Sequence, residues 1–303
     1  MGSGEQARLF GVLGDPVEHS LSPAMHNAAF AAAGLPYLYL RFRVAPATLA
    51  TALAEAKALD MGGLNLTVPL KEAALPLVDR LTEAAERAGA VNTIVFRRDG
   101  RLVGDNTDGE GFVRALGGRA RLRAARAVVI GAGGSARAVA TALARAGCAA
   151  LTIANRTAAR AERLADVVRR VRRLDTRLVP LAALAGDAVL GDADLVVNAT
   201  PLGLAGARLR VRYAATPTGC TFVDLVYAPR PTPFLAGAAR AGRPTLDGGP
   251  MLLHQGALAF EAWTGRRAPR AAMAHALRAA GLTLTLHRGA GTVPARRPRI
   301  TKS

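Results

Sequence analysis

The sequence predicts an α/β protein in two units, the second a doubly wound parallel sheet, with closing helices that return to the first unit. Three observations carry this reading. Short apolar stretches alternate with helical segments along most of the 303 residues, the pattern of a layered α/β fold. ARAVVIGAGGSARAVATALARAG runs an apolar strand into a glycine turn and then a helix, as in a parallel βαβ unit. The last two segments with helical apolar spacing, PMLLHQGALAFEAWTG and PRAAMAHALRAAG, have no strand after them.

Each element follows in order. RLFGVLG is the first strand, and a helix spans Pro23 to Ala33, with Ser22 expected as N-cap, Pro23 at the first helical position and Gly34 as its stop. YLYLRFRV is the next strand, then a helix near 46 to 59, then the strand GGLNLTV. AVNTIVFRRDGRLVG reads as a hairpin, because β-rich runs flank a turn that contains Asp-Gly. After the glycine turn, ALTIANR, RLVPL, ADLVVNAT and TFVDLVY supply further parallel strands. The expected units are residues 7–112, a doubly wound unit at 113–248, helices at 249–284 packing on the first unit, and a basic, disordered tail at 285–303.

Composition narrows the function classes. No apolar run reaches the roughly 18 residues that span a bilayer, and the opening MGSGEQARLF lacks the layout of a signal peptide. A soluble, cytoplasmic protein is expected. Cys148 and Cys220 stand alone, without a CxxC or a histidine at ligand spacing, so neither disulfide nor metal is expected. The net charge of +18 raises the question of a nucleic-acid partner. Aromatic residues make up only 4% of the chain and no nucleic-acid motif accompanies the arginines; they read as solvated helix faces, and no nucleic-acid partner is expected.

IGAGGSA places Gly131, Ala132, Gly133, Gly134, Ser135 and Ala136 at the start of a helix that follows an apolar strand. Glycines there let the backbone approach a pyrophosphate, and the helix N-terminus offers unpaired N–H donors. At the end of the next strand, an NAD enzyme carries an acid for the ribose 2′-hydroxyl. This chain carries Asn155, Arg156, Thr157 and Arg160 instead, which favours the 2′-phosphate of NADP.

The first unit gathers polar groups at strand ends. Ser20 and Ser22 precede a helix N-terminus and suit a carboxylate. His19 and His26 lack a third ligand and read as loop and helix-surface residues. Only Lys57, Lys71 and Lys302 among the forty basic residues are lysines. Lys71 follows NLTVPL in the first turn of a short helix, where the positive dipole end disfavours a cation. Such a lysine can give up a proton, as arginine cannot. GDNTDGEGF fails as a calcium loop, since its twelfth position is Leu116, and it offers Asp108, with Asn92 nearby, to the hydroxyls of a small polyol.

EHSLSPAMHN, NLTVPLK, AVNT, GDNTDGEG, GAGGSARA, NRTAAR, NATPLG, DLVYAPRPTPFL and GGPMLLHQGALAFEAW occur in this order over residues 10 to 265. Together they resemble the shikimate dehydrogenase family. The resemblance implies an oxidoreductase with an N-terminal α/β substrate-binding domain and a Rossmann domain, reducing the C3 ketone of 3-dehydroshikimate reversibly with NADPH in the route to chorismate and the aromatic amino acids. It implies Lys71 and Asp108 as the catalytic pair, and Ser20 and Ser22 at the substrate carboxylate. Thr67, Asn92, Gln255 and Tyr227 would lie against the substrate, and Leu225 and Gly248 near the nicotinamide, alongside the cofactor positions Gly131 to Ala136, Asn155, Arg156, Thr157 and Arg160. No metal is implied, and a monomer or homodimer is expected. A relative that also oxidises quinate, or that uses NAD, is the alternative.

Overall fold

The structure, a computed structural model, describes residues 6–202 and 209–284. The expected tail at 285–303 lies outside the described residues. The first half runs β1 (Arg8–Gly14), α1 (Ser22–Ala32), β2 (Tyr37–Arg43), α2 (Leu49–Ala58), β3 (Gly63–Leu66), α3 (Leu70–Ala73), β4 (Arg80–Leu81), α4 (Glu83–Ala88), β5 (Thr93–Phe96) and β6 (Leu102–Asp105). After α5 (Asp108–Ala115) come β7 (Arg126–Ile130), α6 (Gly134–Ala146), β8 (Ala150–Asn155), α7 (Ala158–Val171), β9 (Asp175–Pro180), β10 (Leu195–Asn198), β11 (Thr221–Asp224), α8 (Pro233–Arg240) and β12 (Thr245–Leu246). The chain then forms α9 (Gly249–Thr264) and α10 (Arg270–Ala279).

The strands make two six-stranded sheets. The first has the order β2-β1-β3-β5-β6-β4 and is mixed, because the hairpin β5–β6 enters antiparallel to β3. Its strands have two buried faces, and alternation sorts their side chains. Phe10 and Val12 enter one core with Phe30, Phe260 and Met273, whereas Leu13 enters another with Leu49, Leu64 and Ile94. The second sheet has the order β12-β11-β10-β7-β8-β9, every neighbour parallel. This is the doubly wound arrangement the glycine turn predicted. Val129 and Val197 face α6, and Val128 and Val196 face the opposite core with Phe222.

The closing helices return to the first sheet as expected. Phe260, Met273 and Leu277 share a core with Phe10 and Phe30, and the indole N–H of Trp263 donates to the Ile94 carbonyl at 3.0 Å. Gly63 gives that indole its room: an added Cβ would collide with the ring. Gly63→Ala is therefore expected to cost about 1–3 kcal/mol, read as a lower urea midpoint.

Two local expectations are corrected. The N-cap of α1 is Leu21, and Ser22 is already helical and makes no side-chain cap bond. It is the Ser20 Oγ that accepts from the Ser22 N–H, at 3.3 Å, so the cap-like contact comes from two residues upstream. His26 is not on the helix surface but wholly buried, stacked on Tyr39 with ring centroids 4.5 Å apart. The reason is α9: Gly256 packs directly against Met25 and His26, covering a face that the sequence of α1 alone leaves open. Burial lowers the His26 pKa to about 3, so the ring is neutral.

Candidate active site

Strand register assembles the first half-site. Asn65 pairs with Thr93 across β3–β5, and Thr93 with Asp105 across β5–β6, so three neighbouring strands deliver polar residues to one sheet end. Asn92 stands just before β5. Its side-chain amide donates to Asp108 Oδ1 at 2.8 Å and to Thr107 Oγ1 at 2.9 Å, and lies 3.3 Å from Gln255 Oε1 on α9. The Asn92 side-chain carbonyl accepts from the Thr107 N–H at 2.8 Å. A buried amide with both ends satisfied is held in one orientation.

Lys71 completes this cluster. Its ammonium donates to Asp108 Oδ2 at 2.5 Å, with side-chain exposures of only 12% and 5% for the pair. The expected placement in a first helical turn holds, yet α3 is a single turn of four residues, too short for its dipole to count for much. The Asp108 carboxylate is the group that faces the ammonium.

Ser20, Ser22 and Tyr227 also meet. Burial pushes the Tyr227 and Tyr39 phenols up, against the lowering influence of the Leu21 backbone and Ser20 on the first and of Ser22 on the second. Tyr39 also donates to Asn65 Oδ1 at 2.8 Å, and Asn65 donates onward to Thr93 Oγ1 at 3.0 Å. The Arg41 guanidinium donates to the Ser20 carbonyl at 2.8 Å, which puts a cation beside the hydroxyls. Thr67 lies just past β3, tied by its N–H to the Leu13 carbonyl at 2.9 Å; among the described residues no side-chain hydrogen bond joins it to the cluster.

The positions expected to take a cofactor gather at the carboxyl ends of the second sheet, the usual ligand location in doubly wound folds. Gly131 adopts φ +109°, which only glycine takes easily. A Cβ on Gly133 would meet nothing within 4 Å, so the loop leaves open space above it. The first turn of α6 carries no acid. Asn155 ends β8 and donates to the Thr157 carbonyl at 2.9 Å; Arg156, Thr157 and Arg160 follow, all exposed. Open space over a glycine, free helix N–H groups and two exposed arginines fit an NADP pyrophosphate and 2′-phosphate. On the other side of β7, the Leu225 carbonyl leaves no room for a Cβ on Gly248, so these two positions lie against each other.

Sequence reasoning missed several supporting residues. Asp224 is wholly buried, accepting from Asn198 at 3.0 Å, Thr232 at 2.6 Å and the Val226 N–H at 3.1 Å. Burial raises its pKa to about 6, against these bonds. It ties the loop after β10 to the one after β11, which carries Leu225. Asn198 and Asp224 stood in the quoted NATPLG and DLVYAPRP, and their alignment on adjacent strands, not their spacing, reveals the bond. Among the described residues no group of acids, histidines and cysteines could hold a metal, and no helix is long and apolar enough to cross a membrane.

Comparison with known proteins places these features together. Residues 12–94 match the shikimate dehydrogenase substrate binding domain, residues 115–205 match shikimate / quinate 5-dehydrogenase, and residues 250–278 match the shikimate 5′-dehydrogenase C-terminal domain. The shikimate dehydrogenase (NADP(+)) of Moorella thermoacetica is 49% identical over 282 residues, which cover 90% of this chain and 93% of that protein. Among solved structures, the shikimate 5-dehydrogenase of Thermus thermophilus in complex with NADP(H) and shikimate is 42% identical, with TM-score 0.77 over 90% of this chain and 99% of that one. The quinate dehydrogenase of Corynebacterium glutamicum in complex with NAD is 35% identical, with TM-score 0.81 over 90% and 100%. Matches in chain order across both sheets and the closing helices, at such identity, decide the relationship: the chain belongs to the shikimate dehydrogenase family.

Proposed function

We propose that this protein reduces 3-dehydroshikimate to shikimate with NADPH, and catalyses the reverse reaction, as a step toward chorismate and the aromatic amino acids. The observation that carries the reading is the buried Lys71–Asp108 pair at 2.5 Å. Within the reading, residues 7–112 bind substrate, 113–248 bind cofactor, and 249–284 complete the first unit. Ser20 and Ser22 hold the carboxylate with Tyr227, and Arg41 favours an anion there. Thr67, Asn92 and Gln255 take the ring hydroxyls.

The loop Gly131 to Ala136, with Asn155, Arg156, Thr157 and Arg160 and beside Leu225 and Gly248, would hold the cofactor, which would supply a hydride to the ketone carbon. Negative charge then develops on the ketone oxygen. Lys71 donates a hydrogen bond to that oxygen and gives up its proton to it, which both stabilises the charge and quenches it. Asp108 keeps the ammonium aimed and accepts from the neighbouring C4 hydroxyl. In the reverse direction Lys71 takes the hydroxyl proton.

The reading also makes the protein cytoplasmic, with small molecules as its partners, acting as a monomer or homodimer. Initial rates of cofactor reduction with shikimate or quinate, each with NADP or NAD, test it. Turnover largely confined to shikimate with NADP is expected. Comparable quinate or NAD rates would keep the Lys71–Asp108 chemistry but move the protein toward the quinate-oxidising relatives. No turnover with any pair would overturn the reading.

A further inference from the structure

The second bond of the Lys71 ammonium crosses between the two sheets. Nζ donates to Ser135 Oγ at 3.0 Å, and Ser135 belongs to the glycine loop at the N-terminus of α6. The contact is built from several sides. A Cβ on Gly134 would lie 2.8 Å from Lys71 Cβ and 3.2 Å from its Cδ, so the absence of a side chain at 134 is what lets the lysine stem pass. The Val91 N–H donates to the Lys71 carbonyl at 2.7 Å, fixing the backbone end. One turn further along α6, Arg137, whose side chain is 11% exposed, pairs with Glu72 at 3.1 Å. The glycines of the loop thus divide their tasks. Gly131 meets a backbone demand and Gly133 leaves open space, but Gly134 is required by a lysine from the other sheet.

We propose that Ser135 and Gly134 are positioning residues for Lys71: the loop that receives the cofactor also fixes the proton donor. An ammonium has three N–H bonds. Asp108 takes one and Ser135 a second, which leaves the third with a single direction for the ketone oxygen. Without Ser135 the ammonium can swing about the Asp108 contact, and the productive geometry is populated less often. The inference rests on the reading of Lys71 as proton donor, although the contact itself can be tested apart from that reading.

The test uses Ser135→Ala, Ser135→Thr and Gly134→Ala in the full chain. With only three lysines in the sequence, the 13Cε resonances of selectively labelled lysine can be assigned by removing each in turn. In the cofactor-free protein, Ser135→Ala and Gly134→Ala are expected to move the Lys71 resonance while those of Lys57 and Lys302 stay put, and Ser135→Thr to restore it. In steady state, Ser135→Ala should lower kcat about tenfold, on the order of one hydrogen bond to a charged group, with KM for shikimate within about twofold and Ser135→Thr recovering most of the kcat loss. An unmoved Lys71 resonance in Ser135→Ala would overturn the contact. A moved resonance with unchanged kcat would overturn the positioning role, and a raised KM for NADP alone would assign Ser135 to the cofactor only. Failure of the Lys71 reading itself shows separately, as an active Lys71→Ala enzyme.

Discussion

Lys71→Ala is expected to lower kcat for shikimate oxidation by about 10³-fold, within the 10²–10⁴ range of general acid–base catalysis, while KM for shikimate changes by less than about threefold. The asymmetry follows from what the ammonium touches. In the free protein two of its three N–H bonds go to Asp108 and Ser135. In the proposed mechanism its bond to the substrate oxygen strengthens only as charge develops there, and an interaction realised in the transition state appears in kcat. Removal also leaves the buried Asp108 carboxylate with the Asn92 amide as its remaining side-chain donor among the described residues. Breaking a buried pair from one side is costly, so a lowered unfolding midpoint should accompany the kinetic loss. Lys71→Arg distinguishes charge from proton transfer: arginine restores the cation but not the proton donor, and the kcat loss should persist. Equal losses in kcat and affinity for Lys71→Ala would count against the acid/base role.

The double variant Arg156→Ala, Arg160→Ala is expected to raise KM for NADP by roughly 10- to 100-fold, leaving NAD kinetics nearly unchanged. Both side chains stand exposed at the β8 end of the second sheet, where the ribose 2′ position of a dinucleotide falls. Neither has an acid to neutralise in its own first helical turn, since α7 begins Ala158, Ala159. A doubly charged phosphate oxygen cluster gains charge-assisted bonds from guanidinium groups, whereas a 2′-hydroxyl does not. Exposure keeps each contribution modest through solvent screening, so the loss should shrink as salt rises. Steady-state kinetics with both cofactors at two ionic strengths checks it; parallel losses for NAD and NADP would move the arginines to the pyrophosphate or to the fold.

What could be read from the sequence follows the range of the interactions involved. The glycine turn, the strand alternation and the Asp-Gly hairpin are local, and each appears where expected. The Lys71–Asp108 pair was legible because both residues lie in short polar motifs at strand ends, though a separation of 37 positions hides the bond. Residues covered by distant elements were read wrongly. His26 looks like a helix-surface residue until α9, some 230 positions later, is laid over it. Ser22 resembles an N-cap, but the chain turns one residue earlier and Ser20 takes that bond. The role of Gly134 was hidden for the same reason: a glycine in a glycine-rich loop explains itself until the lysine from the other sheet is in place.

The return of α9 and α10 sets an order on synthesis. Phe10, Phe30 and Tyr39 share their core with Phe260, Met273 and Leu277, so the first sheet leaves the ribosome with one face uncovered. At roughly 5–20 residues per second, the covering helices arrive on the order of ten seconds or more after the strands they complete. The second sheet, whose cores draw mainly on consecutive elements, can close in that interval. The nascent chain therefore carries an aromatic surface through most of its own translation, and keeping that surface from other chains is work for chaperones.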